Sequence, residues 1–197
     1  MGGVTSIQNP TIDEIDKQIS EIIRLEGAFD GVMFCIVHSD FRPIQYVKPD
    51  LVSEIMNDNC GIFIEVVRAL KKHHGLNLGA SIVAMSSISS VRAMKAKMAF
   101  CASKAALNAV VRCLAIELAP KKIRVNAILK GAVDIDFEKP HIQDVQAVRD
   151  DKSLVDNQAP LGYVSASEVA ELVAFLLSDA THSLTGQSIA IDGGYLA

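Results

Sequence analysis

The sequence predicts an α/β protein built on a mostly parallel sheet with helices packed against it. Three observations lead there. Short aliphatic runs alternate with longer amphipathic stretches, and strands separated by helices are joined by right-handed crossovers into a parallel sheet. Half of the 197 residues are hydrophobic, yet only 5% are aromatic and there is no Trp. A core of Ile, Val, Leu, Ala and Met suits strands buried on both faces. No repeat, low-complexity tract or linker interrupts the pattern, so residues 1–197 read as one domain with a sizeable core.

Each element has a local cause. Thr11-Ile12-Asp13-Glu14 has the spacing of a capping box. Ile12, Ile15, Ile19, Ile22 and Ile23 then recur at helical spacing, which predicts a helix over 11–26 stopped by Gly27. Residues 32–37 (Val-Met-Phe-Cys-Ile-Val) predict a buried strand. Pro49-Asp50 opens a helix to about Lys72, with Gly75 beyond it. A second strand is expected at 82–85, an Ala-rich helix over 98–118 ending before Pro120, and a third strand at 123–129. Residues 134–160 are polar and irregular, as in a flap or lid. Ser165-Ala166-Ser167-Glu168 is a second capping-box sequence, opening a helix to about Ser178; a last strand at 188–191 ends in Asp192-Gly193-Gly194.

Composition excludes several functions. A net charge of −4, without a basic stripe or interleaved aromatics, argues against nucleic-acid binding. No uninterrupted apolar run reaches the ~18 residues of a membrane span, and the first ten residues lack the layout of a signal peptide. Gly2 and Ser6 match the loose N-myristoylation pattern, without a supporting basic cluster. Cys35, Cys60, Cys101 and Cys113 have no metal-ligand spacing and sit among apolar neighbours, which reads as buried thiols in a reducing cytoplasm.

Four stretches then point to a family. "SIVAMSS" at 81–87 is followed by "FCASKAALNAVVRCLAIELAPKKIRVNAI" from Phe100; "KGAVDIDF" begins at Lys130; "PLGYVSASEVAELVAFLLSDATHSLTGQSIAIDGG" begins at Pro160; and a weaker match, "VSEIMNDNCGIFIEVVRAL", begins at Val52. In this order and spacing, across roughly 45–197, the chain resembles the short-chain dehydrogenases/reductases, most of all their 3-oxoacyl carrier-protein reductase type. The resemblance implies an incomplete Rossmann-type doubly wound parallel sheet, lacking the family's first strand-helix-strand-helix portion.

The family's active site uses Asn, Ser, Tyr and Lys. Placement on this sequence puts Asn59, Ser87, Phe100 and Lys104 at those positions. Phe100 and Lys104 are four residues apart and share a helix face. In such enzymes the Tyr hydroxyl passes a proton to or from the substrate oxygen while hydride moves to or from a nicotinamide. The Lys favours the phenolate, and the Ser hydroxyl bonds the same substrate oxygen. A phenyl ring has no such proton, and general acid–base help is worth ~100- to 10,000-fold in rate. The family's cofactor turn, which seats a pyrophosphate on a helix N-terminus, has no counterpart near Gly2 and Gly3. Its Asn-Asn-Ala-Gly motif falls near Phe34-Cys35-Ile36-Val37 and keeps none of its residues, and its Pro-Gly reads Lys130-Gly131. Lys104 and Gly131 are thus vestiges of a cofactor site. No cofactor is expected, and NAD(P) would be the cofactor if the chain is active.

Blander readings stand beside these. Ser87 can bond its local backbone, Lys104 can be a helix-surface cation, Asn59 can serve structure, and Phe100 can simply pack. His73 and His74 sit at a polar helix end. His38 follows the first strand at its carboxyl end, where such sheets bind ligands, and is the histidine that merits testing; His141 and His182 carry no signal. Asp134, Asp136 and Glu138 read as a solvated face.

The leading expectation is a non-catalytic cytoplasmic family member acting as a structural or regulatory subunit, with a complete paralogue or as a homo-oligomer. It would use the retained helical faces, where Ala102, Ala105, Ala106 and Ala109 permit close approach. The strand at 32–37 would be left as an open edge, to be covered by residues 3–8 or by another chain. The alternatives are an active NAD(P)-dependent carbonyl reductase or alcohol dehydrogenase relaying protons through water or Lys104, and a module binding a small or acyl ligand in the vestigial cleft. No metal, nucleic-acid or membrane partner is expected.

Overall fold

A computed structural model describes residues 3–8, 10–133 and 159–197. In chain order it has α1 (Ile12–Glu26), β1 (Phe29–Phe34), α2 (Pro49–Met56), α3 (Ile62–Lys72), β2 (Leu76–Ser87), α4 (Met98–Leu118), β3 (Arg124–Lys130), α5 (Ala166–Leu177) and β4 (Ser188–Ile191). The strands form a four-stranded parallel sheet in the order β1-β2-β3-β4. This is an α/β fold of Rossmann type with the strand order of its second half.

Alternation along the strands sends side chains to two different layers. Phe34, Ile82, Ala84, Val125 and Ala127 face a core closed by Phe63, Val67 and Leu70 of α3 and Leu107, Val111, Ala115 and Leu118 of α4. Ile15 and Ile19 of α1 join this core. On the opposite face Val83, Met85 and Ile128 pack with Val169 and Leu176 of α5. The sheet is therefore covered on both sides, which is why its central strands read as continuous apolar runs.

The structure redraws several sequence boundaries. The first strand lies three residues earlier than expected, at Phe29–Phe34. Its pairing with β2 ends at Phe34 opposite Ala84, and the chain beyond is drawn off by a side-chain clamp described below. The second strand is twelve residues long, because Leu76–Ala80 also runs beside β1 across a register shift between Phe29 and Gly31. The helix expected over 49–72 is broken by a π-helical turn at Asn57–Gly61.

The Thr11 capping box does not form. Its hydroxyl donates to the Glu14 carboxylate (2.8 Å) and leaves the helix amides to backbone oxygens. Ser165 does form one: its Oγ accepts from the Glu168 amide, and Glu168 Oε2 accepts from the Ser165 amide at 2.7 Å. Ser165→Ala is expected to cost about 1 kcal/mol and to lower the melting temperature by ~2–4 °C, measured by thermal unfolding.

Other expectations also change. Residues 3–8 form no strand, so among the described residues nothing pairs with the outer edge of β1. Only Cys60 of the four cysteines is buried; Cys35 and Cys113 are exposed. Met98–Lys121 is, by length and composition, long and apolar enough to cross a membrane. Here its buried face closes the core against the sheet. Gly2, the stretch 134–158 with Asp134, Asp136 and Glu138, and His141 lie outside the described residues.

Candidate active site

The four residues read from sequence converge at the carboxyl ends of β1 and β2, beside the first turns of α4. The repeat of buried positions on α4 turns Phe100, Ser103, Lys104 and Leu107 toward the sheet. Ser87 is the last residue of β2, and Asn59 sits in the π-helical turn. A π turn adds a residue per turn and rotates the side chain that follows, which here buries Asn59 completely.

Asn59 is a clamp. Its Oδ1 accepts from the His38 amide at 2.8 Å, and its Nδ2 donates to the His38 carbonyl at 2.7 Å and to Ser103 Oγ at 3.0 Å. Ser103 Oγ in turn donates to the Phe100 carbonyl at 2.8 Å. One amide thus ties the segment after β1 to α4.

Lys104 is the most consequential group. Only 2% of it is exposed, which overturns the surface-cation reading. Its Nζ donates to the Met85 carbonyl at 3.0 Å and to the Ile36 carbonyl at 3.3 Å. Burial pulls its pKa down to about 8, nearby Cys35 opposes this, and Lys130 adds to it. Burial likewise pushes the Cys60 thiol up, against the pull of Lys104.

Phe100 is 7% exposed, and its ring centre lies 6.0 Å from Lys104 Nζ and 5.5 Å from Lys97 Nζ. Where a phenol would hold an ionisable oxygen, the ring presents a π face to two ammonium groups. Ser87 Oγ accepts from the Ser89 amide at 3.1 Å and so caps the turn Ile88–Ser90. That turn is held further by Ser90 Oγ donating to the Ser87 carbonyl at 2.6 Å and by Asn108 donating to Ser90 Oγ at 2.8 Å.

The described residues do not fit a dinucleotide. The β1-to-α2 and β2-to-α4 connections, residues 35–48 and 88–97, contain no glycine. The Lys104 ammonium already donates to the Met85 carbonyl of β2 and to the Ile36 carbonyl just beyond β1. Gly131 has a structural reason to lack a side chain: a Cβ there would come within 2.8 Å of Asp192 Cα. Its amide donates to the Ile191 carbonyl at 2.9 Å, seating the end of β3 against β4.

Sequence reasoning missed Ser103, which links Asn59 to α4, and it missed the partner of His38. His38 Nδ1 lies 2.7 Å from Asp58 Oδ2, with Glu54 one helical turn before Asp58. The Glu54/Asp58 spacing of four was the available signal. His73 faces Asp16 at 3.3 Å, among contacts from Arg68 and Lys72 that join α3 to α1 and hold Asp16 down at about 2, Lys72 contributing most.

Fold and site together define an α/β domain of the Rossmann oxidoreductase type, with Phe100, Lys104, Asn59 and Ser87 gathered at the carboxyl ends of its strands. The family model described as enoyl-(acyl carrier protein) reductase matches residues 11–196, and the chain belongs to the short-chain dehydrogenase/reductase family. It is 31% identical to a versicolorin reductase of Emericella nidulans over 192 residues, 92% of this chain and 71% of that protein. It is 35% identical to a D-erythrulose reductase of Gallus gallus over 120 residues, 60% of this chain and 47% of that protein. The chain thus spans about half the length of several curated relatives that it matches. A crystal structure of a short-chain dehydrogenase family protein from Francisella tularensis superposes with a TM-score of 0.83 at 29% identity, covering 98% of this chain and 84% of that one.

Proposed function

We propose that this chain is a non-catalytic member of the family that serves as a structural or regulatory subunit in the cytoplasm, beside a catalytically complete paralogue or a second copy of itself. The observation that carries this reading is the buried phenyl ring of Phe100, set against an ammonium already engaged by two carbonyls. The phenyl ring supplies no hydroxyl at the position where the family's active site uses a Tyr.

Two surfaces support association. The outer edge of β1 leaves backbone donors and acceptors unpaired among the described residues, a site where another strand can add. The outward side of α4 exposes Ala102 and Ala105, and 78% of Ile116 is accessible. Large exposed apolar groups of this kind mark contact surfaces when they cluster.

A second reading has its own support, since the relatives above are named as reductases. In it the chain is an active carbonyl reductase whose NAD(P) site is completed by other residues, with Ser87 and Lys104 as the polar groups facing substrate. One experiment separates the two. Oxidation of NADH and NADPH is followed with a panel of ketones, for the wild type, Phe100→Tyr and Lys104→Ala. The first reading expects no rate above cofactor background for any of them, and co-elution of the wild type with a family paralogue from the same source or with itself. Steady turnover by the wild type that Lys104→Ala abolishes would establish the reductase.

A further inference from the structure

The geometry points to a divalent transition-metal site formed by His38, Glu54 and Asp58, distinct from the buried pair of Phe100 and Lys104. One imidazole nitrogen and one oxygen from each carboxylate lie within 4.8 Å of one another. Glu54 and Asp58 are four residues apart on the helical segment leading into the π turn, so both carboxylates project from one face. His38 meets them from the segment after β1, its Nδ1 at 2.7 Å from Asp58 Oδ2.

Three features favour a cation there. Among the described residues neither Glu54 nor Asp58 forms an ion pair with a Lys or Arg, and an oxygen of each lies within 4.8 Å of the other. A bound cation removes the repulsion between the two carboxylates. The His38 backbone is fixed through both its amide and its carbonyl by buried Asn59, so the residue enters the site from an anchored main chain. The cluster is also partly open, with side-chain exposures of 30% for His38 and 33% for Asp58, which leaves room for water at a remaining position. One nitrogen and two carboxylate oxygens with an open position suit Zn²⁺, Co²⁺ or Ni²⁺ better than Ca²⁺ or Mg²⁺, which take oxygen ligands. Nitrogen and oxygen bonds of ~2.0–2.2 Å to Zn²⁺ require the His38–Asp58 contact to open by only a fraction of an ångström.

The test uses the full chain stripped with a chelator and titrated with Zn²⁺ alone by calorimetry, in parallel with Co²⁺ by absorption. One saturable site per chain is expected. The Co²⁺ form should lack a thiolate charge-transfer band, which separates this site from the exposed Cys35 and Cys113. Zinc at about a hundred times its Kd should raise the melting temperature by ~5–10 °C. His38→Ala, Asp58→Asn and Glu54→Gln should each weaken binding ~10- to 100-fold or more, whereas His182→Ala should leave it unchanged. Glu54 is an exposed helix residue, so Glu54→Gln keeps the test valid if another variant fails to fold. Absence of a stoichiometric site, unchanged affinity in the three variants, or a thiolate spectrum overturns the assignment.

Discussion

Between about pH 8 and 10.5, Lys104 alone is expected to raise the stability of this chain by roughly 3 kcal/mol. In the unfolded chain its ammonium titrates near 10.5; in the folded chain burial brings it down to about 8. Below pH 8 both states hold the proton, and the full penalty of burying the charge is present. Between the two values the unfolded chain keeps a proton that the folded chain has shed, so stability climbs with pH. Above 10.5 both are neutral and the gain is complete. Cys60 works in the opposite direction, because its thiol is held protonated by burial. The measurement is therefore a difference: urea unfolding of wild type and Lys104→Met from pH 7 to 10.5. The variant lacks this rise, so the stability of the wild type minus that of the variant increases by roughly 3 kcal/mol as pH goes from 7 to 10.5. A constant gap across that range would mean that Lys104 is ionised with equal ease in both states.

Asn59→Leu is expected to cost about 3–5 kcal/mol, the second large effect. Asparagine and leucine are close in size, so the loss is polar and not steric. Three hydrogen bonds disappear, and the His38 amide and carbonyl lose their partner. An abandoned buried donor or acceptor costs ~1–3 kcal/mol. The same clamp ends β1 and positions the segment that carries the Ile36 carbonyl, a Lys104 acceptor. Unfolding in urea should show the lower midpoint. A zinc titration of the same variant should show weakened binding, because His38 is no longer fixed. Stability within 1 kcal/mol of wild type would show that water replaces the amide without loss.

Much of the fold was legible because it rests on local chemistry. The isoleucine repeat of α1, the Ser165–Glu168 capping box and the apolar runs of β2 and β3 each state their structure within a few residues. Boundaries were less legible where pairing decides them. β1 ends at Phe34 because its register with β2 ends there, although Cys35-Ile36-Val37 is as apolar as what precedes it. Leu76–Ala80 joins β2 because β1 lies beside it. The π turn was not legible in Asn57–Gly61; it accompanies the bonding of Asn59 to His38, 21 positions away, which no local pattern records.

The candidate site divides in the same way. Resemblance to the family grouped Ser87, Phe100 and Lys104 at one site, and the lack of a hydroxyl on Phe100 is a fact of sequence alone. Sequence also determined the family, through motifs kept in order along most of the chain. Tertiary structure alone decided what those residues now do. Lys104 became a buried ammonium joining β2 to the segment beyond β1, Asn59 a clamp, Ser87 the cap of a turn, and Gly131 a point of close approach to Asp192. It also brought His38 to Asp58 and Glu54. The reason is physical: helical and strand periodicity act over a few residues and are written locally, whereas burial, desolvation and hydrogen-bond partnership are set by groups that meet only when distant segments pack.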